Sequence, residues 1–171
     1  EIFYEYAKLI SRSVCNGEIN YRFVADRFKK LRNGEITMSG TMREWQREQE
    51  LPRECVFCGS RDDLQVDHLV PRSRGGADSA ENTVWACRTC NASRGEKGVF
   101  AWLGLKKKDH LHRLVAGKYL KQLYRLHEEA GTLDISRRDI RKLCESCGNA
   151  PVCQEWNKVE ELTCFSLESI F

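Results

Sequence analysis

The stretch that decides the fold of this chain runs from residue 55 to residue 97 and reads CVFCGSRDDLQVDHLVPRSRGGADSAENTVWACRTCNASRGEK. It contains two Cys-x-x-Cys pairs, an Asp-His pair, an isolated Asn and a second Asn directly after the last Cys. Thiolates are soft ligands that suit structural zinc, whereas carboxylate, amide and imidazole groups are typical of hydrolytic centres with a hard metal. The stretch therefore predicts a zinc-braced module around a hydrolytic site.

The hydrophobic pattern surrounds this stretch with helices and places a hairpin inside it. Apolar spacing predicts helices over residues 3–15, 20–32, 41–50, 99–130 with a break near Gly104, and a short helix after Ser136. Residues 64–68 and 83–87 predict the two strands of a hairpin, joined by a long polar loop of the kind that is usually functional. A short helix is expected from about Arg88, with Asn91 in its first turn.

Composition bounds the class of protein. The chain has 171 residues, of which 41% are hydrophobic, with a net charge of +3 and nine cysteines. No run of 18 apolar residues is present, so we expect no transmembrane helix and no membrane partner. The N-terminus does not resemble a signal peptide, and the paired cysteines favour metal sites in a reducing cytoplasm over secreted disulfides.

With its two Cys pairs, Asp67-His68, Asn82 and Cys90-Asn91 in this order and spacing, the segment resembles the HNH endonuclease family. The resemblance is to the variant that has Asn at the third signature position and a four-cysteine zinc clip. It implies a ββα-metal fold, a hairpin followed by one helix, and hydrolysis of phosphodiester bonds to 5′-phosphate and 3′-hydroxyl ends.

The expected fold is therefore α+β and mostly helical, with helical elaborations on both sides of a ββα-metal core. We divide the sequence into a helical leader (1–50), the HNH core with its zinc site (51–98), a helical segment (99–143) and a Cys-rich metal-binding tail (144–171).

The two close-spaced Cys pairs are the predicted ligands of one structural zinc ion. Each pair can form a turn that presents two thiolates to a tetrahedral metal, using Cys55, Cys58, Cys87 and Cys90. A hairpin and one helix bury little apolar surface, so the metal would contribute directly to folding. The alternative is a set of unrelated buried thiols.

His68 is the predicted catalytic base, because a neutral imidazole can accept a proton from water. A purely structural histidine or a zinc ligand is the alternative. In the family, the residue at the position of Asn82 ties the long loop through backbone hydrogen bonds and orients the histidine, so we group it with the catalytic residues. An ordinary turn asparagine would occupy the same position.

Asp67 and Asn91 are the predicted ligands of a catalytic divalent ion, Mg²⁺ or Mn²⁺, because both side chains offer hard oxygen donors. For Asn91 a helix-capping role is the alternative. Strict strand alternation would point Asp67 and His68 to opposite faces, so both can serve one site only if the strand ends or twists there.

Basic side chains around the motif are the predicted contacts to nucleic acid, although a solvated basic face is the alternative. They are Arg72, Arg74, Arg88, Arg94 and Lys97. The glycine pair Gly75-Gly76 would let the loop backbone approach DNA closely.

The tail contains a second cluster with the spacing C-x2-C-x5-C-x10-C, formed by Cys144, Cys147, Cys153 and Cys164. We expect a second metal site, holding zinc or a [4Fe–4S] cluster, with free thiols or disulfides as the alternative. Cys15 is either a spare thiol or a substitute for one tail ligand.

The sequence as a whole predicts a metal-dependent HNH endonuclease acting on DNA. The rivals are an RNase or nuclease toxin, and a catalytically silent, zinc-stabilised module that binds nucleic acid. Because duplex cleavage needs two active sites or two visits, a homodimer is a further expectation.

Overall fold

The structure is a computed structural model, and it describes residues 1–38, 50–107, 110–134, 139 and 166–168. Helix is the main regular structure of these residues, with a two-stranded antiparallel sheet beside it. The predicted α+β class is confirmed, and the arrangement is compatible with a ββα-metal fold. The predicted helix at 41–50 (except its last residue), the helix after Ser136 (except residue 139) and the four tail cysteines lie outside the described residues.

The chain begins with a pair of helices, α1 (Ile2–Val14) and α2 (Tyr21–Arg32). Both were predicted within one residue, because apolar groups recur at helical spacing. The structure adds Asn20 as the N-cap of α2. The Asn20 side chain accepts a hydrogen bond from the Phe23 amide at 3.1 Å. The two helices pack against each other.

The hairpin consists of β1 (Leu64–His68) and β2 (Thr83–Cys87), with the bounds that the sequence predicts. The strands are antiparallel, and their register runs from Leu64 opposite Cys87 to His68 opposite Thr83. Helix α3 (Arg88–Arg94) follows β2 without a loop and packs on both strands. This hairpin-helix unit carries the predicted catalytic residues.

Two further helices follow the hairpin unit. Helix α4 (Val99–Lys107) is interrupted at Gly104, whose φ of +74° is non-helical, as the predicted break requires. Helix α5 (Arg113–Glu129) packs against α1, and the rings of Phe3 and Tyr124 stack with centroids 5.5 Å apart.

One apolar core joins these elements. Ala7 of α1, Val84 of β2 and Tyr119 of α5 are buried in a single cluster that also contains Leu69, directly after β1. The core therefore contains residues from several of the segments into which we divided the sequence. No described helix is long and apolar enough to cross a membrane.

A short 3-10 turn, Ser166–Glu168, packs into this core from the far end of the chain. The buried carboxylate of Glu168 accepts hydrogen bonds from the Phe100 amide at 2.7 Å, the Ala101 amide at 2.8 Å and the Tyr119 hydroxyl at 2.5 Å. It thereby caps the first turn of α4, and a Cβ on Gly98 would overlap its carboxyl group. Burial raises the pKa of Glu168 to about 7.

This raised pKa predicts a pH-dependent stability. Between the ordinary glutamate value of 4.5 and about 7, the folded state holds a proton that the unfolded state releases. The free energy of unfolding should therefore fall as pH rises across this interval, by up to roughly 3 kcal/mol. Glu168→Gln should lack this component, which denaturant titrations between pH 5 and 7.5 would measure against the exposed control Glu129→Gln. Parallel pH profiles for the wild type and Glu168→Gln would contradict the assignment.

Candidate functional site

Four thiols meet at the start of the hairpin. The sulfur atoms of Cys55, Cys58, Cys87 and Cys90 all lie within 4.8 Å of one another, and the Cys58 and Cys87 sulfurs are 3.7 Å apart. In a tetrahedral zinc-thiolate site with Zn–S bonds of about 2.3 Å, neighbouring sulfurs are about 3.8 Å apart. The cluster therefore fits a structural zinc ion, as the Cys spacing predicts.

Local backbone structure presents these thiols. The first pair lies in a turn in which the Gly59 amide donates to the Cys55 carbonyl at 2.8 Å, and Gly59 has a φ of +77°. The second pair spans the start of α3, where the Cys87 sulfur accepts from the Cys90 amide. This amide and the neighbouring thiols lower the pKa of Cys87 to about 7, which favours the thiolate form.

Asp67 lies in a buried ion pair with Arg94. Both carboxylate oxygens of Asp67 accept hydrogen bonds, one from Nη2 of Arg94 and one from Nε at 3.0 Å. The side chains are 5% and 2% exposed, respectively, so the pair is almost entirely shielded from solvent. Each carboxylate oxygen still has a second lone pair that could bind a cation.

Arg94 also binds the backbone around the C-terminal end of β1. Its Nη2 donates to the His68 carbonyl at 2.6 Å, and its Nη1 donates to the carbonyls of Leu69 and Lys97 at 3.4 and 3.1 Å. A guanidinium that is buried and bonded in this way disfavours the phosphate contact predicted for Arg94. We assign it instead to holding α3 against β1.

His68 lies half-buried at the end of β1, and its Nε2 atom is 2.9 Å from Oδ1 of Asp78 in the long loop. The hydrogen bond to His68 and the nearby Arg72 charge lower the pKa of Asp78, so this carboxyl group is ionised at neutral pH. The loop thus supplies an acidic partner for the imidazole. Asp78 was not among the residues singled out from the sequence.

Asn82 is fully buried and ties the two ends of the long loop together. Its Oδ1 atom accepts from the Val70 amide at 2.8 Å, and its Nδ2 atom donates to the carbonyls of Val70 and Ala77, both at 2.9 Å. Gly76 packs so closely here that a Cβ would overlap the Val70 carbonyl oxygen. The close backbone approach at Gly76 is therefore to the protein's own chain.

Asp67 and Asn91 are both turned toward the same side of the hairpin. Asn91 Nδ2 donates to Oε1 of Gln65 at 3.2 Å, and Gln65 precedes Asp67 by two residues, on the same strand face. His68, one residue on, contacts the loop through Asp78 rather than α3. β1 ends at His68, so the strand end that a shared site for Asp67 and His68 requires is present at this dipeptide.

The remaining basic candidates differ in exposure. Arg72, Arg88 and Lys97 have exposed side chains, and Arg74 is half-buried. The exposed three remain available to a phosphate backbone.

The second Cys cluster, Cys144, Cys147, Cys153 and Cys164, lies outside the described residues, so a second metal site stays a prediction that elemental analysis of the purified chain would test.

Comparison with known proteins agrees with this geometry. Residues 55–97 match the family model of the HNH endonuclease. This segment is therefore similar to an HNH endonuclease domain. The chain is also 36% identical over 53 residues to the CRISPR-associated endonuclease Cas9 of Corynebacterium diphtheriae, an alignment that covers 29% of this chain and 5% of that protein. The chain thus corresponds to a small part of that relative, and no solved structure matches it.

Two features of the segment 55–97 could not be predicted from its sequence. Asp78 is one of several acidic residues in the loop and near it, and its contact with His68 depends on how the loop folds back. Arg94 lies one helical turn after Asn91, so the sequence suggested that both side chains face the same exposed surface. In the structure, the Arg94 side chain instead faces the buried carboxylate of Asp67. The sequence signal that could have indicated a buried Arg94 is the occurrence of a charged residue on the helix face that packs against the core.

Removal of one predicted zinc ligand tests the metal site of the segment 55–97. Cys87→Ser should abolish zinc binding to this cluster and lower the melting temperature by roughly 10 °C, because metal binding contributes folding free energy. Cys15→Ser, which changes a free thiol outside the cluster, is the matched control and should retain both properties. Zinc content by elemental analysis, together with thermal unfolding, measures the difference. Unchanged zinc content in Cys87→Ser would show that the four thiols do not form the site.

Proposed function

We propose that this chain is a metal-dependent DNA endonuclease of the HNH type, which hydrolyses phosphodiester bonds with His68 as the general base. The observation that carries the proposal is the position of His68 within the matched domain, at the end of β1, with one ring nitrogen held by Asp78. A histidine held through one nitrogen presents the other to a substrate water.

The contact with Asp78 selects the useful tautomer. An ionised carboxylate can only accept a hydrogen bond, so Nε2 of His68 donates and carries the hydrogen. In the neutral imidazole, Nδ1 then bears the lone pair. We propose that Nδ1 takes a proton from a water molecule lying in line with the scissile phosphorus, which makes that water a stronger nucleophile.

Asn82 acts by position in this proposal. Its three hydrogen bonds fix the backbone at Val70 and Ala77, on the two sides of the loop that carries Asp78. A loop fixed at both ends limits the positions that Asp78 can adopt relative to His68. Asn82 therefore orients the imidazole without touching the reacting atoms.

Asp67 and Asn91 would hold the divalent ion. Their oxygen donors suit Mg²⁺ or Mn²⁺, although the Arg94 charge beside Asp67 should make the affinity low. When bound, such an ion stabilises the negative charge that develops on the phosphate and on the leaving oxygen. Between them, Asp67, Asn91 and the substrate phosphate would supply its oxygen ligands.

The four-cysteine site has a structural role in the proposal. A shell of four thiolates leaves no open position for water, so zinc there cannot activate a nucleophile. It would instead anchor the start of α3, which carries Asn91 directly after Cys90. Reduced thiols at this site suit a reducing, cytoplasmic setting.

Binding of DNA would depend on the exposed basic side chains around the site. Arg72 lies in the loop beside Asp78, and Arg88 and Lys97 flank α3. Contacts of this kind bind phosphates without reading base sequence, so they supply affinity rather than specificity. The relative Cas9 is named as an endonuclease, which supports nuclease activity for the shared segment.

The overall proposal is tested by incubating the chain with supercoiled, linear and single-stranded DNA and with RNA, in Mg²⁺, Mn²⁺ or EDTA. We expect DNA cleavage that depends on the added divalent ion and stops in EDTA. Cleavage of RNA alone would favour a ribonuclease. Binding without cleavage of any substrate, by a folded and zinc-loaded chain, would identify a silent binding module.

His68→Ala should reduce cleavage by roughly two orders of magnitude or more, the usual scale for a lost general base. Zinc content and thermal unfolding should stay at wild-type values, because His68 is outside the Cys cluster. His110→Ala, which changes an exposed histidine outside the domain, is the matched control and should cleave normally. Near-wild-type turnover by His68→Ala would overturn the assigned base.

Asp67→Asn and Asn91→Ala should each raise the concentration of Mg²⁺ needed for half-maximal cleavage, or abolish cleavage, while DNA binding persists. The reason is that each change removes or weakens an oxygen donor but leaves the basic side chains in place. Asp67→Asn should also lower the melting temperature, because it leaves the buried Arg94 guanidinium without a charged partner, whereas Asn91→Ala should not. Metal titrations that coincide with the wild type for both variants would place the ion elsewhere.

A further inference from the structure

The edge of β2 that faces away from β1 accepts hydrogen bonds that fix the end of the hairpin where His68 pairs with Thr83, which we call the active end. The Leu69 amide donates to the Asn82 carbonyl at 2.7 Å, which makes these two residues a hydrogen-bonded pair. Because hydrogen-bonded and non-bonded pairs alternate in antiparallel sheets, His68 and Thr83 form a non-bonded pair. The Thr83 carbonyl therefore points outward, away from β1.

Three backbone carbonyls along this edge, those of Trp85, Thr83 and Glu81, accept hydrogen bonds from groups elsewhere in the chain. The Trp85 carbonyl accepts from the Val56 amide at 2.9 Å, near the Cys cluster. Toward the active end, the donors come from α5: Nζ of Lys118 donates to the Thr83 carbonyl at 2.7 Å, and Nε2 of Gln122 donates to the Glu81 carbonyl at 3.3 Å.

Both donors lie on one face of α5, because residues four apart are neighbours on a helix. Lys118 is 2% exposed and Gln122 is 4% exposed, so these contacts are shielded from water. Gln122 is held in turn by Arg125, whose guanidinium donates to the Gln122 Oε1 atom at 2.7 Å. An ammonium group is costly to bury, which makes its position here informative.

We infer that Lys118 is a positioning residue of the nuclease site, acting with Gln122 from outside the matched domain. The two side chains donate hydrogen bonds to the carbonyls of Thr83 and Glu81, which lie immediately after and before Asn82, the residue that ties the loop. By fixing this segment they fix the strand opposite His68, and hence the approach of Asp78 to the imidazole. The inference rests on the proposed function for its kinetic consequences, but its structural consequence is independent of catalysis.

Lys118→Met tests the inference, because it keeps the length and apolar stem of the side chain and removes the donor. We expect a folded, zinc-loaded protein whose kcat falls by roughly tenfold or more, the scale of a lost hydrogen bond from a charged donor, while KM stays within about twofold. Lys118→Arg retains a charged donor and should recover part of kcat. Lys29→Met removes an exposed lysine of α2 and should match the wild type.

Hydrogen exchange provides the readout that does not depend on activity. In Lys118→Met, the amides of Leu69 and Val70, which donate to Asn82, should exchange faster, while amides of α2 are unchanged. If Lys118→Met does not fold, Gln122→Met should show the same pattern with a smaller effect.

The two proposals fail in different ways. A wild-type chain that cleaves nothing, combined with faster exchange in Lys118→Met, would reject the nuclease function and retain the structural linkage. An active wild type with unchanged kcat and unchanged exchange in Lys118→Met would overturn the inference alone. A rise in KM without faster exchange would also overturn it, since Lys118 would then be a substrate contact.

Discussion

The end of the hairpin where His68 pairs with Thr83 depends on the buried pair of Arg94 and Asp67. One guanidinium binds both oxygens of the carboxylate and the backbone carbonyls on either side of the strand end, at His68 and Leu69. A buried ion pair is weak evidence of stability, because desolvation offsets much of the attraction, but removing one partner would leave the other charge uncompensated. The arrangement therefore specifies the position of α3 relative to β1 more than it strengthens the fold.

The hairpin is held differently at its two ends. Leu64 and Cys87 pair at the end where the thiols meet, and His68 and Thr83 pair at the other end, about 13 Å along strands that rise about 3.3 Å per residue. A metal site suits the first end, where Cys55, Ala86 and Cys87 form a small buried cluster of their own. The second end is fixed by hydrogen bonds from polar side chains. The first end thus depends on a metal ion, and the second depends on the correct placement of polar groups.

The polar contacts at the second end come from outside the hairpin as well as from within it. Arg94 binds from α3, Asn82 closes the loop, and Lys118 reaches the opposite edge from α5. Helix α5 is anchored in the main core through α1, and it contacts the C-terminal turn through Tyr119 and Glu168. The segment that matches the family is thus embedded in a scaffold that the family pattern does not include.

The sequence by itself determined the helices near the N-terminus, both strands of the hairpin, the break at Gly104 and the four-cysteine cluster, because these follow from local periodicity, turn chemistry and ligand spacing. It also indicated the resemblance of residues 55–97 to the HNH endonuclease family, which the match to the family model confirms. The tertiary structure alone decided that Arg94 faces a carboxylate rather than solvent, that Asp78 meets His68, and that Lys118 and Glu168 are buried. Those contacts join residues from 10 to 68 positions apart, and no local pattern encodes which long-range partners meet when the core closes.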